Sequence, residues 1–339
     1  MNQHVEFVQT ESGPYFGSRE RKPLRQQWQE MRALWARYGC VPYHYFKHRL
    51  YERSARQDFI DYLPAKLMQR FRRDRNPRSH VHMLNDKLET IRVLAGTGVR
   101  CVGTLFSVSA AGTILRADGA AVGADAAAEA LRVHGGTLFI KPVDSRGGYG
   151  AFSIGAAGVD SALLGSMRNV VIQPVLRNHP IIEALNPGAL NTLRVCSLVE
   201  NGRYTLIAAC LRVAQGHAVV DNWGQGSFAI GVDLTSGALN PTGITKAKHG
   251  RQVCAVHPDT GVRFASITLP WWQETLELAE HAALGLQPHV TLGLDIAITP
   301  QGPVFVEANE AGDFFFLQEA CGPLGGTPLG QRVLEHWLR

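Results

Sequence analysis

The sequence predicts an α+β fold in which a helical N-terminal region precedes a body of antiparallel sheets. Residues 24–38, LRQQWQEMRALWARY, space their apolar side chains as a helix does, and Gly39 follows as a C-cap. Beyond residue 100 the pattern changes to apolar strands separated by turns, with Asn201-Gly202 as the strongest hairpin signal. A helical start followed by hairpin-rich sequence is typical of α+β architectures with large antiparallel sheets.

The other elements follow from periodicity and turn residues. Further helices are predicted in residues 43–73, with a break near Pro64, and RDRNPRSH is predicted to be a loop. A helix entered near Asn85 leads to the strand VRCVGTLFSV, and the alanine-rich segment after it combines a loop with a helix. The predicted later elements are the strands TLFIKPV, AFSI and NVVIQPVL, the hairpins NTLRVCSLV–ENG–RYTLIAACLRV and FAIGVDLTSGAL, a helix at 271–285, a third hairpin and the terminal helix LGQRVLEHWL.

The first helix carries a stripe of large apolar side chains. Leu24, Trp28, Met31 and Trp35 recur at helical spacing, so they project from one face. A face of this kind is most often buried against the rest of the protein, and we therefore expect its two tryptophans, Trp28 and Trp35, to lie in the core.

The composition indicates a protein with substantial hydrophobic cores. A chain of 339 residues with 45% hydrophobic content suffices for one large domain or for two to three smaller ones. No window resembles a membrane span, and the start MNQHVEFVQTESG does not resemble a signal peptide. The six cysteines lack metal-site spacing, so reduced thiols and a cytoplasmic location are expected.

The charge is distributed unevenly. Residues 1–92 carry 18 Lys and Arg against 10 Asp and Glu, a net charge of +8, whereas the remainder carries 16 against 19, a net charge of −3. The run RFRRDRNPR at 70–78 is either a solvated helix face or a surface for an anionic polymer, membrane or substrate. The sequence shows no zinc finger, RNA-binding signature or aromatic ladder, so we expect no nucleic-acid partner.

Residues 293–314, GLDIAITPQGPVFVEANEAGDF, set polar side chains into two apolar strands joined by the turn TPQG. Pairing across this turn places Asp295 opposite Glu307, and the alternation of side chains puts Asn309 on the same face as Glu307. The side chains expected to point the other way, into a core, are Ile296, Ile298, Val304 and Val306.

Two carboxylates this close repel each other unless a proton or a cation lies between them. Oxygen ligands suit a hard cation, and Mg²⁺ typically takes one or two carboxylates together with substrate phosphates. The alternative is the polar outer face of an amphipathic hairpin, and the hairpin alone leaves both interpretations open.

A glycine-rich loop lies between two predicted strands in FIKPVDSRGGYGAFSI, residues 139–154. Its glycines allow backbone amides to approach a ligand closely, and Lys141 just before them could bind a phosphate as a point charge. The loop matches neither a P-loop nor a dinucleotide-binding fingerprint. By itself it is equally an ordinary glycine hairpin.

Taken in order, these elements resemble the ATP-grasp superfamily, and more narrowly its sugar-transfer associated branch. The resemblance rests on YFKHRLY, LNDK, FIKPVDSRGGYG, NTLRV, HPDTG and GLDIAITPQGPVFVEAN, and it extends from about residue 30 to residue 339. It implies an ATP-grasp fold in which two α+β subdomains hold a nucleotide between two sheets. The implied divisions are a basic helical N-terminal region at 1–80, a subdomain with the glycine-rich lid at 81–185 and a subdomain with the metal site at 186–339.

The resemblance also implies a set of nucleotide-binding residues. Lys87 and Lys141 match the two lysines that contact phosphates, and the glycine loop matches the lid above them. The family usually places a glutamate in the adenine-contacting segment, where this chain has Gln173. His179 and Glu183 are alternative ribose ligands. The full implied set is Lys87, Lys141, Gly147, Gly148, Tyr149, Gly150, Gln173, Val175, His179 and Glu183.

The implied catalytic residues are Arg194, Arg212 and Asn222, and the implied Mg²⁺ ligands are Asp295, Glu307 and Asn309. The arginines resemble those that hold the transferred phosphate and the acyl substrate. The implied cofactors are ATP and Mg²⁺, with Mn²⁺ as an alternative cation. The implied reaction is an ADP-forming ligation of a small-molecule carboxylate to an amine through an acylphosphate, with a sugar, glycan or amino-acid-type molecule as acceptor. A small-molecule kinase and a non-catalytic nucleotide-binding partner of a glycan assembly system are the alternatives.

Overall fold

Helices come first along the chain and hairpins follow, so the predicted α+β class is confirmed. The computed structural model describes residues 15, 20–55, 58–144, 149–216, 218, 220–310 and 314–338. The helices are α1 (Leu24–Tyr38), α2 (Tyr43–Lys47), α3 (Ala65–Arg75), α4 (Arg78–Asn85), α5 (Lys87–Leu94), α6 (Ala124–His134), α7 (Ser161–Ser166), α8 (Pro180–Glu183), α9 (Trp272–Gly285), α10 (Phe314–Cys321) and α11 (Pro328–Leu338).

The strands form two antiparallel sheets. They are β1 (Phe106–Val108), β2 (Ile114–Arg116), β3 (Ala121–Val122), β4 (Thr137–Pro142), β5 (Phe152–Gly155), β6 (Val170–Pro174), β7 (Thr192–Glu200), β8 (Arg203–Val213), β9 (Phe228–Val232), β10 (Leu239–Ile244), β11 (Val253–Cys254), β12 (Thr291–Thr299) and β13 (Gly302–Asn309). The small sheet has the order β3-β2-β1-β6-β4-β5, and the large sheet has the order β11-β10-β9-β8-β7-β12-β13. The hairpin β7–β8 turns at Asn201 and Gly202, whose φ angles of 52° and 71° are those of the predicted tight turn.

The large sheet is covered on both faces. One face packs against α5 and α9 in a cluster that includes Leu193 and Leu294. The other packs against the N-terminal helices α1 and α3 and against α10 and α11, in a cluster that includes Leu34, Phe71 and Leu198. Because both faces are covered, β7 is buried at all but its last residue. The described N-terminal helices therefore form part of the body that carries β7 and β8.

The small sheet has its own core, formed with α6 and α7. Residues 100–102 link it to the large sheet, since the Phe305 amide donates to the Arg100 carbonyl at 2.8 Å and the Val102 amide donates to the Phe305 carbonyl at 2.9 Å. The strand predicted as VRCVGTLFSV is consequently shortened to β1, because its first half runs along β13 instead of entering the small sheet. The last predicted domain boundary, at 185 and 186, falls between α8 and β7.

Helix α1 has its predicted bounds, and Gly39 caps it in the left-handed region at φ 60°. The prediction that its tryptophans lie in the core is wrong, because Trp28 and Trp35 are exposed. Leu24 is exposed as well, and Met31 is half-buried. The residues that α1 buries are Gln27, Glu30, Leu34 and Tyr38. Burial of this mixed face is possible because Glu30 accepts hydrogen bonds from Lys22 at 3.0 Å and from the Tyr45 hydroxyl at 2.6 Å.

Two further local predictions differ from the structure. The segment RDRNPRSH is mostly helical, because α3 continues to Arg75 and Pro77 directly precedes α4, whose first turn a preceding proline suits. The loop predicted before the alanine-rich helix contains the strand pair β2–β3, which turns at Gly119 with φ 85°. Among the described residues, no helix combines the length and apolarity needed to cross a bilayer.

Candidate active site

The hairpin β12–β13 pairs around its polar residues as the sequence predicts. Asp295 lies opposite Glu307, and Gly293 lies opposite Asn309. Glu307 and Asn309 therefore share a face with Asp295, and this face contains the candidate site.

A bulge directly after Asp295 changes which residues of β13 face the core. The core-facing residues of the hairpin include Ile296, Ile298, Phe305 and Ala308. The prediction is confirmed for the two isoleucines, Val304 is buried but lies outside this cluster, and the prediction is wrong for Val306, which is only half-buried and also lies outside it. An extra residue on one strand reverses its alternation, and nothing in the local sequence marks where that residue lies.

Asp295 is fully buried and binds two arginines. Arg194 donates from Nε to Oδ1 at 2.5 Å and from Nη2 to Oδ2 at 3.1 Å, and Arg212 Nη2 donates to Oδ2 at 3.0 Å. Burial raises the pKa of Asp295, but the two arginines outweigh it and lower the pKa to about 2. The sequence predicts repulsion between Asp295 and Glu307 that a cation or proton relieves, and in this structure the relieving cations are protein guanidinium groups.

Asp221 and Thr192 belong to the same network, although sequence reasoning missed both. Asp221 Oδ2 accepts from the Thr192 amide at 2.6 Å and from the Thr192 hydroxyl at 2.5 Å, and it lies 3.4 Å from Arg212 Nε. Arg212 Nη2 also donates to the Thr192 hydroxyl. Arg212 is therefore held between two buried carboxylates, Asp221 and Asp295. The sequence signal for Asp221 is that it directly precedes Asn222, a predicted catalytic residue.

That asparagine, Asn222, precedes the short 3₁₀ helix Trp223–Gln225 and caps it. Its Oδ1 accepts from the Gly224 amide at 2.8 Å. A capping role is sufficient to explain an asparagine here. A catalytic role for Asn222 stays a prediction.

Glu307 and Asn309 fit the requirements of a hard cation. Asn309 Nδ2 donates to Glu307 Oε1 at 3.2 Å and to Asp295 Oδ2 at 3.3 Å. Within the described residues no hydrogen bond reaches the side-chain carbonyl oxygen of Asn309, so this oxygen can serve as a metal ligand. Both side chains are partly exposed, whereas the oxygens of Asp295 are already engaged by Arg194, Arg212 and Asn309. Asp295 already accepts four hydrogen bonds from these residues, and its role as a metal ligand stays a prediction. Among the described residues, no three His, Cys, Asp or Glu side chains form a metal-binding group.

Lys141 faces this hairpin from the small sheet. It is 7% exposed, and within the described part of the chain no hydrogen bond or ion pair reaches its Nζ. Burial lowers its pKa to about 8, Glu307 and Asp295 raise the pKa, and Lys87 lowers it. These charges are therefore close enough to Lys141 to influence its protonation.

Lys87 is the first residue of α5. Its Nζ donates to the Val143 carbonyl at 3.1 Å, so it bridges the start of this helix to the end of β4. Asp86 caps the helix by accepting from the Leu88 and Glu89 amides. The cap and the bridge fix the position of the Lys87 ammonium group.

The predicted glycine lid is described only in part. Gly147 and Gly148 lie outside the described residues. Tyr149 is exposed, and Gly150 has φ 75°, where an added Cβ would also meet Pro142 Cγ at 3.1 Å. Gly150 is therefore required by backbone conformation and by the close approach of Pro142.

The predicted adenine-contacting segment runs along β6 and beyond it. Gln173 is buried opposite Phe139, and its Nε2 has no hydrogen-bond partner within the described part. An orphaned buried amide is uncommon and is consistent with a ligand partner. The Val175 amide donates to the Thr137 carbonyl at 3.2 Å, so this group is already used by the protein.

The two candidate ribose ligands both make local contacts around α8. His179 Nδ1 accepts from the Ile181 amide at 3.3 Å, and Glu183 Oε2 accepts from Asn178 Nδ2 at 2.8 Å. Neither contact distinguishes the two residues as ligands, so their roles stay predictions.

Residues 152–324 match the model of the sugar-transfer associated ATP-grasp family. The match includes β7, β8, β12 and β13, and with them every arginine, carboxylate and amide of the network around Asp295. The sequence matches no curated protein.

Among solved structures, the chain is similar to the ATP-grasp ligase PsnB complexed with a minimal precursor, Mg and ADP, at 14% identity and a TM-score of 0.45. That likeness covers 78% of this chain and 62% of PsnB, so this chain spans about six tenths of the PsnB chain. It is also similar to an L-amino acid ligase from Bacillus licheniformis at 10% identity and a TM-score of 0.42, covering 74% of this chain and 48% of that ligase.

Proposed function

This protein belongs to the sugar-transfer associated ATP-grasp family, and on that premise we propose that it is an ATP-dependent carboxylate–amine ligase. The proposed reaction forms an acylphosphate and ADP, and an amine then displaces the phosphate. A sugar, glycan or amino-acid-type molecule is the proposed acceptor, in keeping with the description of the family.

The observation that carries the proposal is the buried, unpaired ammonium group of Lys141. Lys141 is buried without a hydrogen-bond partner in the described residues, and it faces Glu307 on the opposite sheet. A buried ammonium group without a partner is costly, so its position favours an anionic ligand such as a nucleotide phosphate.

Each residue of the site has a role in this proposal. Lys141 and Lys87 bind the ATP phosphates, and the carboxylate of the substrate attacks the γ-phosphate between them and the arginines. Arg194 and Arg212 then hold the charge that spreads over the transferring phosphoryl group. Asp295 and Asp221 position these guanidinium groups before the substrate arrives, which lowers the reorganisation needed in the reaction.

Glu307 and Asn309 would hold Mg²⁺, which when bound neutralises charge on the phosphates and polarises them. Glu307 also partly offsets the charge of Lys141 before the nucleotide binds. The acyl group passes to the amine when the amine nitrogen attacks the acylphosphate carbon and phosphate leaves.

The experiment is a screen for ADP release from Mg·ATP with amino acids and amino sugars supplied singly and in pairs. A ligase releases ADP only when an acid and an amine are both present, and mass spectrometry finds their amide. A kinase releases ADP with one hydroxyl compound, and its product carries a phosphate. ADP release with single acceptors and phosphorylated products would therefore replace the ligase proposal.

A matched control guards the screen against contaminating ATPases. At ATP concentrations below saturation, Lys141→Ala should strongly reduce the pair-dependent release of ADP, whereas Val133→Ser, a change at an exposed residue of α6, should leave it unchanged. Release at the wild-type rate in Lys141→Ala would indicate a contaminating enzyme or a site that does not use Lys141.

A further inference from the structure

Helix α1 presents an uncovered row of large apolar side chains, which we call the α1 stripe: Leu24, Trp28 and Trp35. Leu24 is 72% exposed, Trp28 is 55% exposed and Trp35 is 61% exposed. At about 100° per residue these positions fall within an arc of roughly 40°, and they span about 16 Å of the helix axis. Because soluble proteins rarely expose contiguous apolar rows, the α1 stripe indicates an interaction surface.

The exposed apolar side chains are concentrated in this region. Of the thirteen large hydrophobic side chains that are exposed in the described residues, six lie between residues 24 and 46. The other three of these six are Val41, Tyr43 and Phe46. The surface continues at the C-terminal end of α1, where Trp337 Nε1 donates to the Tyr38 carbonyl at 2.7 Å and Leu338 is exposed.

The exposed charged side chains of α1 beside the α1 stripe are positive. Arg25 and Arg32 lie along one edge of it, and neither has an ion-pair partner among the described residues. The guanidinium group of Arg32 lies 4.6 Å from the centre of the Trp28 ring. Glu30, the single acidic residue of α1, is buried against Lys22 and Tyr45 and offers no compensation at the surface.

We propose that the α1 stripe and its arginines bind the surface of an anionic lipid bilayer, with α1 lying in the plane of the interface. Tryptophan rings favour the boundary between headgroups and acyl chains, and arginines beside them pair with anionic headgroups. The net charge of +8 on residues 1–92, against −3 on the remainder, adds a long-range attraction between this part of the sequence and a negative surface.

The same observations disfavour a second copy of the chain as the occupant. A twofold interface places the same patch on both partners, so Arg25 and Arg32 would meet the arginines of the other copy. Like charges across an interface are unfavourable, and α1 exposes no acidic side chain to pair with them. A bilayer supplies both the apolar phase and the negative charge that this surface lacks.

The test is co-sedimentation of the full chain with vesicles of phosphatidylcholine alone and of phosphatidylcholine mixed with phosphatidylglycerol. We expect binding to the mixed vesicles only, and weaker binding as salt rises. Arg25→Gln with Arg32→Gln should weaken the binding by about 30-fold, since each cation near an anionic surface contributes about a factor of five. Trp28→Ser with Trp35→Ser should weaken it at least about tenfold.

Val133→Ser is the matched control, because it removes an equally exposed apolar side chain far along the chain, on α6, and should bind as the wild type does. Melting temperatures should stay level in all variants, since every changed side chain is exposed. The proposal is overturned if wild-type protein ignores the mixed vesicles, or if the double tryptophan variant binds them normally. Self-association of the wild type that the tryptophan variant abolishes, without vesicle binding, would identify a second copy as the occupant.

Discussion

The two walls of the site balance their charges differently. On the large sheet, Asp295 is bound by Arg194 and Arg212, and Arg212 is also held beside Asp221. On the small sheet, Lys141 is buried but has no hydrogen-bond partner within the described residues. The large-sheet wall is thus organised before any ligand arrives, whereas the charge of Lys141 on the small-sheet wall is unpaired within the described residues.

This difference assigns the two walls different kinds of sensitivity to mutation. Removing one member of a buried, paired network leaves its partners uncompensated and lowers stability. Removing a buried cation that lacks a partner changes ligand binding far more than it changes the stability of the free protein. Glu307 lies between these cases. It is partly exposed on the large-sheet wall, and its charge raises the pKa of Lys141 on the small-sheet wall.

The largest expected effect is on turnover in Glu307→Gln. This change keeps size and hydrogen bonding but removes the charge that would hold the metal, so ADP formation should fall by roughly 10²–10³-fold. The free protein should melt close to the wild-type temperature. The measurement is ADP production at saturating substrates beside a thermal melt.

Glu129→Gln, on the exposed face of α6, is the matched control for Glu307→Gln and should retain full turnover. Turnover close to wild type in Glu307→Gln would mean that the polar face of the hairpin is an ordinary hydrogen-bonded surface.

The second effect is on stability in Asp295→Asn. Loss of this carboxylate leaves two buried guanidinium groups without their main partner, so the free energy of unfolding should fall by about 3–5 kcal/mol. The sequence alone predicts the opposite sign, since repulsion from Glu307 would be relieved. Chemical denaturation of the wild-type protein and of Asp295→Asn decides which sign is correct.

The pH dependence of stability provides an independent check on Asp295. Its pKa of about 2 in the folded protein lies below the ordinary value of 3.8, so its contribution is complete above about pH 4 and is lost as the pH falls toward 2. Wild-type protein should lose this increment over that range, and Asp295→Asn should not. Parallel acid-unfolding curves for the two proteins would contradict the ion-pair assignment.

The third effect is on nucleotide affinity through Lys141. Lys141→Ala should weaken ATP binding by about 10–100-fold, the range for losing a charged hydrogen bond, with little change in melting temperature. Because burial lowers the pKa of Lys141 to about 8, wild-type affinity should decline above pH 8 by up to about tenfold per pH unit. Isothermal titration with ATP across this range measures both.

Lys141→Arg provides the control. A guanidinium group stays protonated over this pH range, so the affinity of this variant for ATP should not change with pH. An equal decline in the arginine variant would assign the titration to another group. In the free wild-type protein, the lowered pKa predicts the reverse trend for stability, which should rise as the pH increases from about 8 to 10.5.

The smallest expected effect is the difference in turnover between variants of the adjacent residues Asp221 and Asn222. Asn222→Ala removes a helix cap and should cost about 1 kcal/mol of stability, with turnover nearly unchanged. Asp221→Asn should lower turnover as well, because Arg212 loses one of the two carboxylates that position it. A larger loss of turnover in Asn222→Ala than in Asp221→Asn would restore the catalytic role that the sequence suggests for Asn222.

Local pattern was sufficient for the elements that carry the site. The bounds of α1, the tight turn at Asn201 and the pairing of Asp295 with Glu307 follow from helical spacing, turn chemistry and strand alternation. Each of these depends on residues that are close together along the chain, so the sequence by itself determined them.

The tertiary structure decided everything that depends on which surfaces meet. The two arginines that bind Asp295 lie 101 and 83 positions away, and Asp221, the second carboxylate beside Arg212, belongs to no predicted motif. Contacts with distant segments also explain why α1 buries Glu30 and exposes Trp28. Lys22 and Tyr45 donate hydrogen bonds to the Glu30 carboxylate, whereas Trp28 remains exposed in the described structure. Burial and charge pairing are properties of contacts between distant segments, and periodicity within one segment cannot specify its partner.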